Sequence, residues 1–148
     1  MKAVEINQTG APEVINLKDI SLEKPNPDEV TIEQKAIGLN YIDTYHRSGL
    51  YPLKLPSGLG LEGAGIIIEV GSNVTNFKAG DKVAYAAIPL GSYSTHRNFP
   101  ANKLVKIPDG VDFEIAATAG IQANAQMLHT LQLYSGLRIQ PRGLRLAF

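Results

Sequence analysis

A mainly β fold, a partly open β-barrel with short helices and a helical segment behind it, follows from three observations. Short alternating apolar runs recur at close spacing through the first two thirds of the chain. Gly and Pro punctuate the gaps between them, as in small barrels. After Asp112 the pattern turns helical. At 148 residues the chain fits one domain with a short extension.

Val4-Glu5-Ile6 and Val14 to Ile20 alternate in the strand manner, split by the turn signal Gly10-Ala11-Pro12. Pro25 to Glu29 reads as a loop, and Val30 to Ile37 as a half-buried strand. Asn40 to Ser48 predicts a short helix stopped at Gly49. Leu50 to Gly60 carries two prolines and two glycines and reads as a loop, with Ser57-Gly58 a turn. Gly63 to Val70 is a mostly apolar strand. Turns follow at Gly71-Ser72-Asn73 and around Gly80. Lys82 to Ala87, Ser92 to Phe99 and Asn102 to Ile107 are further strands, the last closed by Pro108-Asp109-Gly110. Ile115 opens a helical pattern running to about Tyr134, with a break or kink expected near Gly120, and Gly136 stops it. The last dozen residues look irregular.

Composition narrows the function classes. Net charge is zero, with no basic stripe for nucleic acid. No apolar run approaches the ~18 residues of a membrane span. Lys2 and Glu5 interrupt the start, so no secretory signal is expected. There is no cysteine, which excludes disulfides and thiolate chemistry. A cytoplasmic location is expected. All 14 acidic residues lie at or before Glu114, and the rest of the chain holds Arg138, Arg142 and Arg145 but no acid. This break predicts a domain over residues 1–118 and a different, helical or irregular segment over 119–148.

The run Leu59-Gly60-Leu61-Glu62-Gly63-Ala64-Gly65, then Ile66 to Gly71 and Lys78-Ala79-Gly80-Asp81-Lys82-Val83, resembles the catalytic domain of the medium-chain dehydrogenase/reductase superfamily. Ala36 to Pro52, with Asn40-Tyr41-Ile42-Asp43-Thr44-Tyr45 at its centre, and the opening Gly10 to Val14 resemble its zinc-independent, zeta-crystallin-like quinone oxidoreductase branch. Zinc-dependent members carry a Cys where this chain has Asn40 and a His where it has Leu61. Neither Asn nor Leu supplies a thiolate or imidazole donor.

The resemblance implies a GroES-like barrel and direct, metal-free hydride transfer from NADPH to a quinone, so no catalytic nucleophile and no zinc are expected. It implies that Asn40, Tyr41, Ile42, Asp43, Thr44 and Tyr45 line the nicotinamide side of a cleft and that Tyr51 sits at the quinone pocket. Family members bind the dinucleotide with a second, Rossmann domain and run roughly twice this length. Gly63-Ala64-Gly65 is not its phosphate loop, because it has only two glycines and precedes a strand rather than a helix. The helical segment also departs from the family pattern at Gln122-Ala123-Asn124-Ala125. The expectation is a chain that ends before the dinucleotide fold, as a truncation or frame shift or as a natural short paralogue, with weak or absent NADPH binding.

Each candidate residue carries a plainer reading beside the functional one. Asn40 is equally suited to cap a helix, and Asp43 to stabilise its first turn. Tyr41 and Tyr45, four apart, suit core packing as well as ring stacking. Tyr51, beside Pro52 in a loop, points more to function. Glu62 suits a loop-supporting acceptor. A metal site from His46, His96 and Glu62 has no recognisable ligand spacing. Gly60, Gly63 and Gly65 suit close strand approach. Three rival functions remain: a non-catalytic barrel binding a protein partner (a second copy or a full-length paralogue), a co-chaperonin-like ring subunit, and a degenerate product.

Overall fold

The computed structural model describes residues 1–123 and 145–146. The strands are β1 (Lys2–Ile6), β2 (Asn16–Asp19), β3 (Glu29–Gly38), β4 (Ser57–Gly58), β5 (Glu62–Val70), β6 (Lys82–Ala86), β7 (His96–Pro100), β8 (Val105–Lys106) and β9 (Arg145–Leu146). The helices are α1 (Tyr41–Ser48) and α2 (Phe113–Ala123), with single 3-10 turns at Pro12–Val14 and Ala101–Lys103. A three-stranded sheet runs β2-β1-β4, and a six-stranded sheet runs β7-β3-β5-β6-β8 with β9 also on β3. This is the mainly β, partly open GroES-like architecture the sequence implies; the two sheets do not close into one barrel.

Three local expectations differ. Ser57-Gly58 is not a free turn: it pairs with β1 as β4, Ile6 opposite Ser57 and Glu5 opposite Gly58. Asn102 lies in a 3-10 turn rather than a strand. α2 passes through Gly120 without a break as far as Ala123, because one helical glycine costs only about 1 kcal/mol relative to alanine. Tyr134 and Gly136 lie outside the described residues.

The core has two compartments. In one, Val30, Ile32, Ile67, Val83, Tyr85 and Phe99 pack together and are essentially excluded from solvent. In the other, Ala36, Ala64 and Ala84 form a shallow stripe, and Ala116 and Ala117 of α2 lie on it. Small side chains on both faces allow the helix to approach the sheet closely. The β3–β5 pairing needs a glycine: a Cβ on Gly65 would lie 2.2 Å from the Glu33 carbonyl oxygen.

One buried cation organises the loop that leads into β7. The Arg97 guanidinium lies 4.6 Å from the Phe99 ring centroid and 5.1 Å from that of Tyr85. It donates to the Ser92 hydroxyl at 3.1 Å and to the carbonyls of Pro89 at 2.8 Å and Leu90 at 3.3 Å. Ring faces and carbonyl dipoles thus replace the water a guanidinium loses on burial. Among the described residues, no helix is long and apolar enough to cross a membrane.

Gly65→Ala should lower stability by about 3 kcal/mol, because the clash is with backbone rather than a side chain that can swing away. The midpoint of urea unfolding would read this out.

Candidate functional site

The site is built where β3 ends and α1 begins. Asn40 takes an extended conformation (φ −127°, ψ 154°) and caps α1. Asp43, in the first turn, accepts the Asn40 backbone N–H at 2.9 Å, the return arm of a capping box. The Asn40 side-chain amide donates to Glu62 Oε1 at 2.8 Å, tying the helix start to the start of β5. At the other end Gly49 adopts φ 87°, a left-handed cap, and donates its N–H to the Tyr45 carbonyl at 3.1 Å. The Tyr51 N–H also reaches the Tyr45 carbonyl, at 3.2 Å, which folds the next loop back onto the helix. Arg47 donates to the Gly10 carbonyl and holds the C-terminal end of α1 against the first loop.

Sequence reasoning missed Tyr93. Its hydroxyl donates to Asp43 Oδ2 at 2.7 Å, and its ring takes the place of a Cβ at Gly60, which would come within 2.5 Å of it. Gly60 also has φ +88°, so both conformation and space exclude a side chain there. Tyr93 is fifty residues from Asp43, and no periodicity or motif links two such positions. Burial pushes the Tyr93 phenol up from the ordinary tyrosine value of 10.0; the hydrogen bond to Asp43 and the negative charges of Asp43 and Glu62 push the same way.

The candidate residues separate into two groups. Asp43 is buried, only 3% exposed, with Oδ2 shared by two donors and Oδ1 without a hydrogen-bond partner. Asn40 and Ile42 are half-buried. Tyr41, Thr44, Tyr45 and Tyr51 are on the surface. Tyr41 is 84% exposed, which removes the core-packing reading for it. The Thr44 hydroxyl is engaged by the Tyr41 carbonyl at 2.6 Å. Tyr45 and Tyr51 meet edge to face at 5.5 Å, and the His46 ring lies 5.9 Å from Tyr51. Leu39 and Leu50 flank this group and are also exposed.

The result is a flat, largely apolar wall with a buried carboxylate behind it. It suits one face of a flat ring. A dinucleotide also needs amides free to approach its pyrophosphate. The glycines of β5 do not offer them: Gly63 and Gly65 are interior to the sheet, paired with β3 on one side and β6 on the other. Among the described residues, these glycines therefore present no cradle for a pyrophosphate. Among them, no three His, Asp or Glu side chains converge as metal ligands, and the His46–His96–Glu62 combination is not brought together.

The model of the alcohol dehydrogenase GroES-like domain matches residues 26–109. A quinone oxidoreductase of Pseudomonas aeruginosa is 49% identical over 139 residues, which cover 91% of this chain and 43% of that protein. Quinone oxidoreductase 1 of Escherichia coli is 46% identical over 136 residues, 91% of this chain and 39% of that protein. The crystal structure of Escherichia coli quinone oxidoreductase complexed with NADPH superposes with a TM-score of 0.78 at 43% identity, covering 93% of this chain and 40% of that one. The chain thus spans about two fifths of the length of the relatives it matches.

Two outcomes are expected. Asn40→Ala should cost about 1–2 kcal/mol in unfolding free energy, since both a helix cap and a bond to a buried carboxylate are lost. Up to about pH 9 the Tyr93 phenol is protonated in folded and unfolded chain alike. As pH rises through 10.0 the unfolded chain releases this proton and the folded chain keeps it, so stability falls. Urea midpoints between about pH 9 and 11 should therefore drop more steeply for the native sequence than for Tyr93→Phe; parallel profiles would contradict the assignment.

Proposed function

The chain belongs to the alcohol dehydrogenase GroES-like domain family, and from that premise we propose that it is the catalytic-domain part of an NADPH:quinone oxidoreductase. The observation that carries the proposal is the exposed aromatic wall of α1, held from behind by the Asn40–Glu62 and Asp43–Tyr93 hydrogen bonds. The quinone oxidoreductase relatives at 46–49% identity support the same reading. In this proposal residues 1–118 are the GroES-like domain and 119–148 an appended segment, and the protein works in the cytoplasm.

When bound, NADPH supplies a hydride from C4 of its nicotinamide to the quinone. The chain's own residues bind and orient. Asn40 to Tyr45 would form the wall for the nicotinamide, with Tyr41 and Tyr45 as the exposed rings and Asp43 as the buried brace. Tyr51, held edge-on against Tyr45, borders the quinone. Two flat rings pressed together in a water-poor cleft need alignment more than acid–base assistance. No zinc takes part in this reading, since Asn40 and Leu61 stand where a thiolate and an imidazole would have to be.

The described residues offer one wall and no glycine cradle for the phosphates, so a polypeptide of these 148 residues should bind NADPH poorly and turn over little quinone, because phosphate contacts supply much of the ground-state binding. Calorimetric titration with NADPH, alone and with a quinone analogue, should give no saturable heat at micromolar concentration. Micromolar binding by a folded sample would overturn this part of the proposal.

A second reading is favoured by the same surface. Leu39, Tyr41, Leu50 and Tyr51 are 45%, 84%, 64% and 46% exposed, and exposed apolar side chains at both ends of α1 suit a protein partner, either a second copy or a full-length paralogue. Sedimentation with and without such a paralogue separates the two readings.

A further inference from the structure

Arg97 is 6% exposed, and among the described residues no carboxylate pairs with it. One terminal nitrogen is committed to the Ser92 and Tyr85 hydroxyls, the other to the Pro89 and Leu90 carbonyls. The Nε is buried and has no hydrogen-bond partner. Hydroxyls, carbonyls and ring faces are neutral, so they solvate the guanidinium without cancelling its charge. A buried arginine without a counter-charge is rare, and in that setting it attracts an anion more strongly than it would in water.

Arg97 also borders a cleft of about 250 Å³. The cleft lies where the two sheets meet: Ala3 bridges Ser94, and the Thr95 N–H reaches the Lys2 carbonyl at 2.8 Å. Ile20, Leu22, Pro89 and Leu90 give it apolar walls, and no Asp or Glu is part of its lining. Ser94 and Asn98 border it as well, but their donors are committed. The Ser94 hydroxyl donates to the Gly91 carbonyl at 2.9 Å and the Asn98 amide to the Glu23 carbonyl at 3.0 Å. His96 lines the cleft with its Nδ1 3.1 Å from the Thr95 hydroxyl, and Glu33, opposite His96 in the ladder, is taken by Lys35. What remains for a ligand is a guanidinium, an imidazole and hydrocarbon. The volume is below the roughly 300–1,000 Å³ of pockets for drug-sized molecules, so the occupant is small.

We propose that this cleft binds a small monocarboxylate, its charged end toward Arg97 and His96 and its short apolar body against Ile20, Leu22 and Leu90. A carboxylate only accepts hydrogen bonds, and its shape and charge match a guanidinium. The Leu90 carbonyl, the longer of the two Nη2 contacts at 3.3 Å against 2.8 Å for Pro89, is the tie such a ligand replaces most readily. The apolar walls leave a second charge without a partner, which disfavours dicarboxylates and phosphate esters. None of the lining residues belongs to α1 or the loop after it, and the proposal does not depend on the quinone reductase reading.

Titration of the full chain with sodium butyrate tests it, followed by the NMR resonances of the Arg97 Nε–H and of the Ile20 and Leu22 methyl groups. Butyramide, the uncharged isostere, and sodium chloride at equal ionic strength are the controls. The three resonances should move together and saturate with butyrate and with neither control. Arg97→Gln should abolish the response. Leu22→Trp, which fills the apolar end and leaves the guanidinium in place, should weaken butyrate by about tenfold or more, and it keeps the test decisive should Arg97→Gln fail to fold. An Nε resonance that does not move, or that moves equally with butyramide or chloride, would overturn the proposal. So would an unchanged butyrate affinity in Leu22→Trp.

Discussion

The Asp43 carboxylate is the point through which the wall of α1 is attached to the rest of the molecule. One oxygen accepts both the Asn40 N–H and the Tyr93 hydroxyl. Those donors belong to segments that meet at the same end of the larger sheet, because β3 and β7 run antiparallel. Asn40 follows β3, and Tyr93 precedes β7. A buried carboxylate needs such donors, because an unpaired charge in a low-dielectric interior is costly. The requirement runs the other way as well. Tyr93 holds its place only because Gly60 has no side chain and because the Leu59 carbonyl and the Val4 amide fix its backbone.

The Arg97 guanidinium acts in the same chain of constraints. By holding the carbonyls of Pro89 and Leu90 and the hydroxyl of Ser92, it sets the path on which Tyr93 sits. The site is thus braced by a buried guanidinium and by a phenol whose proton is held more firmly than in water. The exposed rings of Tyr41, Tyr45 and Tyr51 need no such chemistry. They need a firm backing, and the backing is polar.

Much of this was legible in the sequence because it is local. The alternation in β3, the Asn-x-x-Asp opening of α1 and the glycine that ends it are read within a dozen residues. The family frame adds the sheet architecture. What escaped is non-local. Tyr93 lies in the stretch read as a strand from Ser92, which pairs with β3 only from His96 onward, and its partner lies in another element. Ser57-Gly58 has turn composition, yet β1 offers it an edge. Tyr41 and Tyr45 share helical spacing, which signals a common face but not whether that face meets core or solvent. The break expected near Gly120 rests on a single glycine, whose cost of about 1 kcal/mol is too small to end a helix.

The alanine stripe beneath α2 has a mechanical consequence. Ala36, Ala64 and Ala84 lie on three adjacent strands, and Ala116 and Ala117 rest on them. A contact between such short side chains leaves little slack for a helix to roll or slide, because every displacement brings backbone toward backbone. The same β3 carries Ala36 near the end that leads to Asn40. The bearing on which α2 lies and the hinge from which α1 departs are therefore one strand. The direction in which α2 carries the chain away is set by the same strand that aims the aromatic wall.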